Sequence, residues 1–100
     1  MNGRILVAVA EKERRESLIS DLAHAGFQPQ GAGHWLTALL RAWAAPPALV
    51  CLDPNLPGMS DRRGLRLLER LCGSLPVVLV PLALMGSDEI LGIISVTLGS

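Results

Sequence analysis

Three short runs of unbroken apolar residues, Ile5–Ala10, Ala48–Leu52 and Val77–Val80, punctuate this chain, and segments with helical spacing lie between them. Runs of this length without polar alternation are what strands covered on both faces look like. Between them, Glu13–Ala25 carries Leu18, Ile19, Leu22 and Ala25 on one helical stripe, and Gly26 is placed to end that helix. Trp35–Ala45 reads as a second helix, with Leu36, Leu39, Leu40 and Trp43 on one face and Pro46–Pro47 as its stop. Leu65–Leu71 reads as a third, ended near Gly73. Phe27–Gln30 is a short strand, after which Gly31 and Gly33 open a loop.

The last segment has two readings. Ser87 can cap a helix whose first turn holds Asp88 and Glu89 and whose apolar face holds Ile90, Leu91, Ile94 and Leu98. The β-branched residues of Ile93–Leu98 would also suit a strand. The helix is favoured, because capping chemistry and apolar spacing agree on it. Strands and helices then alternate through the chain. Such an order predicts an α/β domain with a parallel sheet and right-handed crossovers. In such sheets chemistry gathers where strands end, here after Ala8, Leu52 and Val80.

One domain, residues 1–100, accounts for the whole length, and half of its residues are apolar. Nine basic side chains balance nine acidic ones, which argues against a nucleic-acid surface and gives little protection from self-association. No apolar stretch is long enough to cross a membrane, and Ile5–Ala10 is too short for the core of a signal peptide. A cytoplasmic protein is expected. Cys51 and Cys72 have no metal-ligand or redox spacing, and Cys51 reads as a small buried hydrophobe. His24 and His34 read as surface or loop residues, and Trp35 and Trp43 as core or interface anchors. Gly31-Ala-Gly33 lacks the rest of a dinucleotide fingerprint.

Asp53 stands out. It closes the buried run Ala48–Leu52 and precedes Pro54-Asn-Leu-Pro-Gly-Met59. A turn-initiating Asp before Pro explains such a residue. A carboxylate at the end of a buried strand is also costly unless it has a task or a partner.

The run Leu49–Met59, L-V-C-L-D-P-N-L-P-G-M, resembles the phosphorylation strand and following loop of response-regulator receiver domains. Further similarity lies in Arg4–Val7 as first strand and in Arg15, Leu18, Leu22 and Gly26-Phe27 as first helix and its end. It continues in Ala38-Leu39, in Gly64–Leu71 and in Pro76–Val80, so that it spans about residues 4–82. The resemblance implies a flavodoxin-like (CheY-like) doubly wound parallel sheet, incomplete at its C-terminal end. It implies that Asp53 is the phosphoacceptor, that magnesium is the cofactor, and that a histidine kinase or another signalling protein is the partner.

Departures from the pattern fall on the chemistry. The family's metal-binding acidic pair corresponds to Val9 and Ala10, which cannot ligate a cation. Asp53 itself and Glu11, one place out of register, are the oxygen ligands left for magnesium. Where the family has Thr or Ser, Pro81 offers neither hydroxyl nor N–H. No lysine follows Lys12 to serve as the family's conserved cation. Phosphoryl transfer depends on neutralising charge on the transferred group. These losses favour a pseudo-receiver, a non-enzymatic interaction module with an eroded site. The retained Asp53 loop favours a working phosphoacceptor. A small-ligand binder on a flavodoxin-like sheet is a third expectation, by analogy of fold. If the sheet stops at Val77–Val80, its bare edge, with the apolar stretches Leu75–Leu84 and Ile90–Leu98, predicts a homo-oligomer or docking on a partner.

Overall fold

The structure is a computed structural model that describes residues 3–53, 56, 57, 66, 70, 77–79 and 87–97. Its elements are β1 (Arg4–Ala8), α1 (Lys12–His24), β2 (Gln28–Ala32), α2 (Trp35–Ala44), β3 (Leu49–Leu52), β4 (Val77–Leu79) and α3 (Ser87–Thr97). All strand pairs are parallel, and the order across the sheet is β2-β1-β3-β4. The order reverses at β1, whose neighbours are β2 and β3. A crevice between two such strands, at their carboxyl ends, is where α/β sheets place their sites. Val7 pairs with Gly31 on one side and Cys51 on the other, so the three strands end nearly level.

Side chains alternate across the sheet and build two cores. Leu6, Ala8, Val50 and Leu52 face Trp35, Ala38, Leu39 and Ala42 of α2. Ile5, Val7, Val9, Leu49 and Cys51 face Leu18 and Leu22 of α1 together with Ile90 and Ile94 of α3. The middle strands are thus buried on both faces, which is why β1 and β3 have no polar alternation. α3 follows β4 in the chain yet shares its face of the sheet with α1. The segment is a helix, as its capping residues predict, and its β-branched residues do not make it a strand.

Local chemistry explains the ends. Gly26 has φ of 96°, the conformation that lets a helix close without a Cβ clash. The Phe27 N–H then donates to Leu22 O at 3.0 Å. His34 caps α2: its Nδ1 accepts from Leu36 N–H at 3.1 Å, a role its sequence context does not reveal. The Trp35 N–H, another donor left over at a helix start, reaches Pro57 O at 2.9 Å.

Two expectations need correction. β2 runs Gln28–Ala32, so Gly31 belongs to the strand and does not open the loop. The inward face of α2 is Trp35, Ala38, Leu39 and Ala42, whereas Leu36, Leu40 and Trp43 are 58%, 56% and 67% exposed. The reason is that α2 is apolar almost all round, with Arg41 as its one charged residue. Bulk alone then picks the wrong face. Ala38 and Ala42 turn inward because small side chains let the helix lie close on the sheet. On the other face Ile90 and Ile94 of α3 are core, whereas Ile93 and Val96 are exposed, so the apolar surface expected of this segment is only partly bare.

Candidate functional site

Asp53 follows β3 directly and lies at the carboxyl end of an inner strand, beside the end of β1. Its N–H continues the ladder, donating to Ala8 O at 2.9 Å. Its side chain is buried, with 7% of the residue exposed. Oδ2 accepts the N–H of Ala10 at 3.1 Å. Its carbonyl accepts from Leu56 N–H at 3.0 Å. Leu56 is buried in the α2 core, and Pro57 O holds the first N–H of α2. Leu56 and Pro57 thus hold to the start of α2, the first by its side chain and the second by its backbone.

Val9 and Ala10 stand next to Asp53, as the sequence register implies, but they bring it a backbone N–H and not a carboxylate. Val9 points into the α1 core. Glu11 is exposed, and its Oε2 pairs with Arg14 Nε at 3.2 Å. That geometry directs Glu11 along the surface of α1. Among the described residues, no cluster of three or more His, Cys, Asp or Glu side chains is grouped to hold a metal ion. The described residues around Asp53 do not supply the several oxygen ligands in near-octahedral order that magnesium needs. Pro81 lies outside the described residues, as do Cys72 and most of Leu75–Leu84.

One participant escapes sequence reasoning. Arg15 Nη1 donates to Val9 O at 2.9 Å and lies 3.4 Å from Ala10 O. Its guanidinium rests over the end of β2. A Cβ built on Gly33 would stand 2.5 Å from Nη1, and one on Gly31 would stand 2.8 Å from Ile19 Cδ1 and 3.3 Å from Arg15 Cδ. The Gly-Ala-Gly run is thus the floor under an arginine. No local spacing signals this, because Arg15 and the glycines belong to different elements that only the fold brings together.

Elsewhere, burial pushes the Cys51 thiol up to about 12, so it behaves as the small hydrophobe expected. His24 and His34 are exposed. A cleft of about 300 Å³ opens at the amino end of the sheet, lined by Arg4, Gln28, Gln30, Arg41 and neighbours. It is at the far end of the strands from Asp53 and contributes nothing to that site. No helix among the described residues is long and apolar enough to cross a membrane.

No family model and no curated protein matches the chain. Solved structures do. The chain is similar to the signal receiver domain of a protein described as a LuxO repressor from Vibrio parahaemolyticus, with 13% identity and a TM-score of 0.77 over 98% of this chain and 91% of that one. The chemotaxis response regulator CheY4 of Vibrio cholerae gives 14% identity and a TM-score of 0.69, over 95% of this chain and 98% of that one. NtrX from Brucella abortus gives 22% identity and a TM-score of 0.77 over 98% of this chain, which spans only 26% of the NtrX chain. At these identities the likeness establishes the fold. The element order, the parallel sheet β2-β1-β3-β4 and the aspartate at the end of an inner strand agree with it, and the chain has a receiver-like fold of the flavodoxin-like, CheY type.

Proposed function

We propose that this domain is a pseudo-receiver: a non-enzymatic interaction module of two-component signalling, located in the cytoplasm, that keeps the receiver fold and not its metal-dependent phosphorylation. The observation that carries this reading is the hydrogen bond from Ala10 N–H to Asp53 Oδ2. A peptide N–H faces the carboxylate on the β1 side, where Val9 and Ala10 offer no acidic side chain. Phosphoryl transfer to Asp53 needs charge neutralised on the equatorial oxygens, and that side of the site brings no metal ligand for it.

The partners in this reading are a histidine kinase or another signalling protein, and a second copy of the chain. Support comes from α2, which turns Leu36, Leu40 and Trp43 outward in one stripe. Contiguous exposed apolar surface of this kind marks interaction sites.

Treatment with acetyl phosphate and Mg²⁺, read by intact mass, tests the reading. The expected result is no phosphoryl adduct, together with no sub-millimolar Mg²⁺ binding in a titration. An adduct that disappears in Asp53→Asn would replace the pseudo-receiver with a working phosphoacceptor.

A further inference from the structure

We infer that Arg15 is a positioning residue for Asp53, acting through the peptide group that joins Val9 to Ala10. A trans peptide points its C=O and its N–H in opposite directions. Here the oxygen, on Val9, accepts Arg15 Nη1 at 2.9 Å, and the N–H, on Ala10, donates to Asp53 Oδ2 at 3.1 Å. Guanidinium, peptide and carboxylate therefore form one chain of hydrogen bonds, with a cation at one end and an anion at the other. A cation on the carbonyl draws electron density toward the oxygen and leaves the N–H a stronger donor. Both bonds involve an ionised group, the kind that outlasts neutral pairs.

The arrangement is built. The guanidinium spans two successive carbonyls, Val9 O and Ala10 O, just where β1 leaves the sheet and the next residues turn into α1. Gly33 is shaped to admit it, since a Cβ there would meet Nη1 at 2.5 Å. Gly31 keeps the stem of Arg15 and the tip of Ile19 close on β2. The two glycines, which the sequence leaves without a task, thus fix the height of the arginine above the strand end. Simple satisfaction of strand-end carbonyls would also recruit a donor here. That bland role would leave the Ala10 N–H indifferent to Arg15, and this difference makes the inference testable.

The inference rests on Asp53 being the centre of the site. It is independent of whether Asp53 takes a phosphoryl group, so the acetyl phosphate experiment can fail without touching it. The test is amide exchange and chemical shift of Ala10 in the full 1–100 chain by NMR. Arg15→Ala removes the bond to Val9 O and leaves the Ala10 N–H a weaker donor to Asp53, so it should speed exchange at Ala10 severalfold and move its proton upfield. Val9 N–H, bonded to Ala32 O at 3.0 Å, and Asp53 N–H, bonded to Ala8 O at 2.9 Å, should hold within about twofold. Gly33→Ala displaces the guanidinium without removing it, because what the new Cβ meets is the mobile end of a long side chain. It should reproduce the Ala10 change, and adding Arg15→Ala should then add nothing further. Arg15→Lys, which keeps the charge, should restore most of the protection. Should Arg15→Ala not fold, Gly33→Ala and Arg15→Lys still decide. An Ala10 amide unmoved in Gly33→Ala, or Ala10, Val9 and Asp53 amides loosened together, would overturn the inference.

Discussion

Asp53 and Arg15 are bonded to the two ends of a single peptide group, the carboxylate to its N–H at 3.1 Å and the guanidinium to its C=O at 2.9 Å. The cation thus acts on the site from behind the backbone, with the peptide between it and the carboxylate. A buried carboxylate needs such compensation.

Asp53 should accordingly respond to substitution by its acceptor more than by its size. Asp53→Asn keeps an oxygen for the Ala10 N–H, whereas Asp53→Ala leaves that donor without it. An unmet donor costs about 1–3 kcal/mol when fully buried, and the Ala10 N–H is part-buried. Urea unfolding should therefore find Asp53→Ala the less stable of the two by about 1 kcal/mol. Equal stabilities would mean that water takes over the Ala10 N–H at no cost.

α3 should be part of the core and not an appendage. Ile94 is fully buried between α1 and the sheet, while Val96, two residues on, is 80% exposed. Ile94→Ala should cost about 2–5 kcal/mol through lost burial and a residual cavity. Val96→Ala should change stability by less than about 0.5 kcal/mol. A mild Ile94→Ala would indicate that α3 detaches from α1 in solution.

The two buried strands and the site at their ends were legible because burial on both faces writes an unbroken apolar run, and Ile5–Ala10 and Ala48–Leu52 are such runs. α3 was legible from its first-turn chemistry against the pull of its β-branched residues. The face of α2 was not, since bulky and small apolar residues share one wide arc of that helix, and the small Ala38 and Ala42 turn inward where bulk pointed to Leu36, Leu40 and Trp43. Nor was the seat of Arg15. Its partners are the backbone carbonyls of Val9 and Ala10, just past β1, and the empty space above Gly33, and neither leaves a mark in the sequence around residue 15.

Cys51 makes stability fall at high pH. Burial raises its thiol from 9.0 to about 12, so between those values the unfolded chain releases a proton that the folded chain keeps. The unfolded state then binds fewer protons, and stability drops as pH rises. The contribution is fully present below about pH 9 and is lost progressively toward pH 12. In a Cys72→Ser background, Cys51→Ala should flatten this decline, and a thiol reagent at pH 8 should label Cys51 only in the unfolded chain. Rapid labelling of the native chain would contradict the burial.

Trp43 and Trp35 should report the association surface directly, because α2 presents one outward and one inward. Trp35 is buried and Trp43 is 67% exposed, in line with Leu36 and Leu40 at spacings of four and three. Acrylamide should quench the Trp43 share of the emission in dilute protein and leave the Trp35 share protected, so Trp43→Phe should remove most of the quenchable signal. If a second copy covers the stripe, quenching should fall as concentration rises through the micromolar range, in step with the mass found by sedimentation. Leu40→Ser with Trp43→Ser should then weaken association by more than tenfold, since aromatic anchors carry most of the energy of small interfaces. Stability of the monomer should move by less than about 0.5 kcal/mol, because neither side chain fills the core. A clean monomer whose Trp43 quenching is independent of concentration would remove the second copy as the occupant of this face.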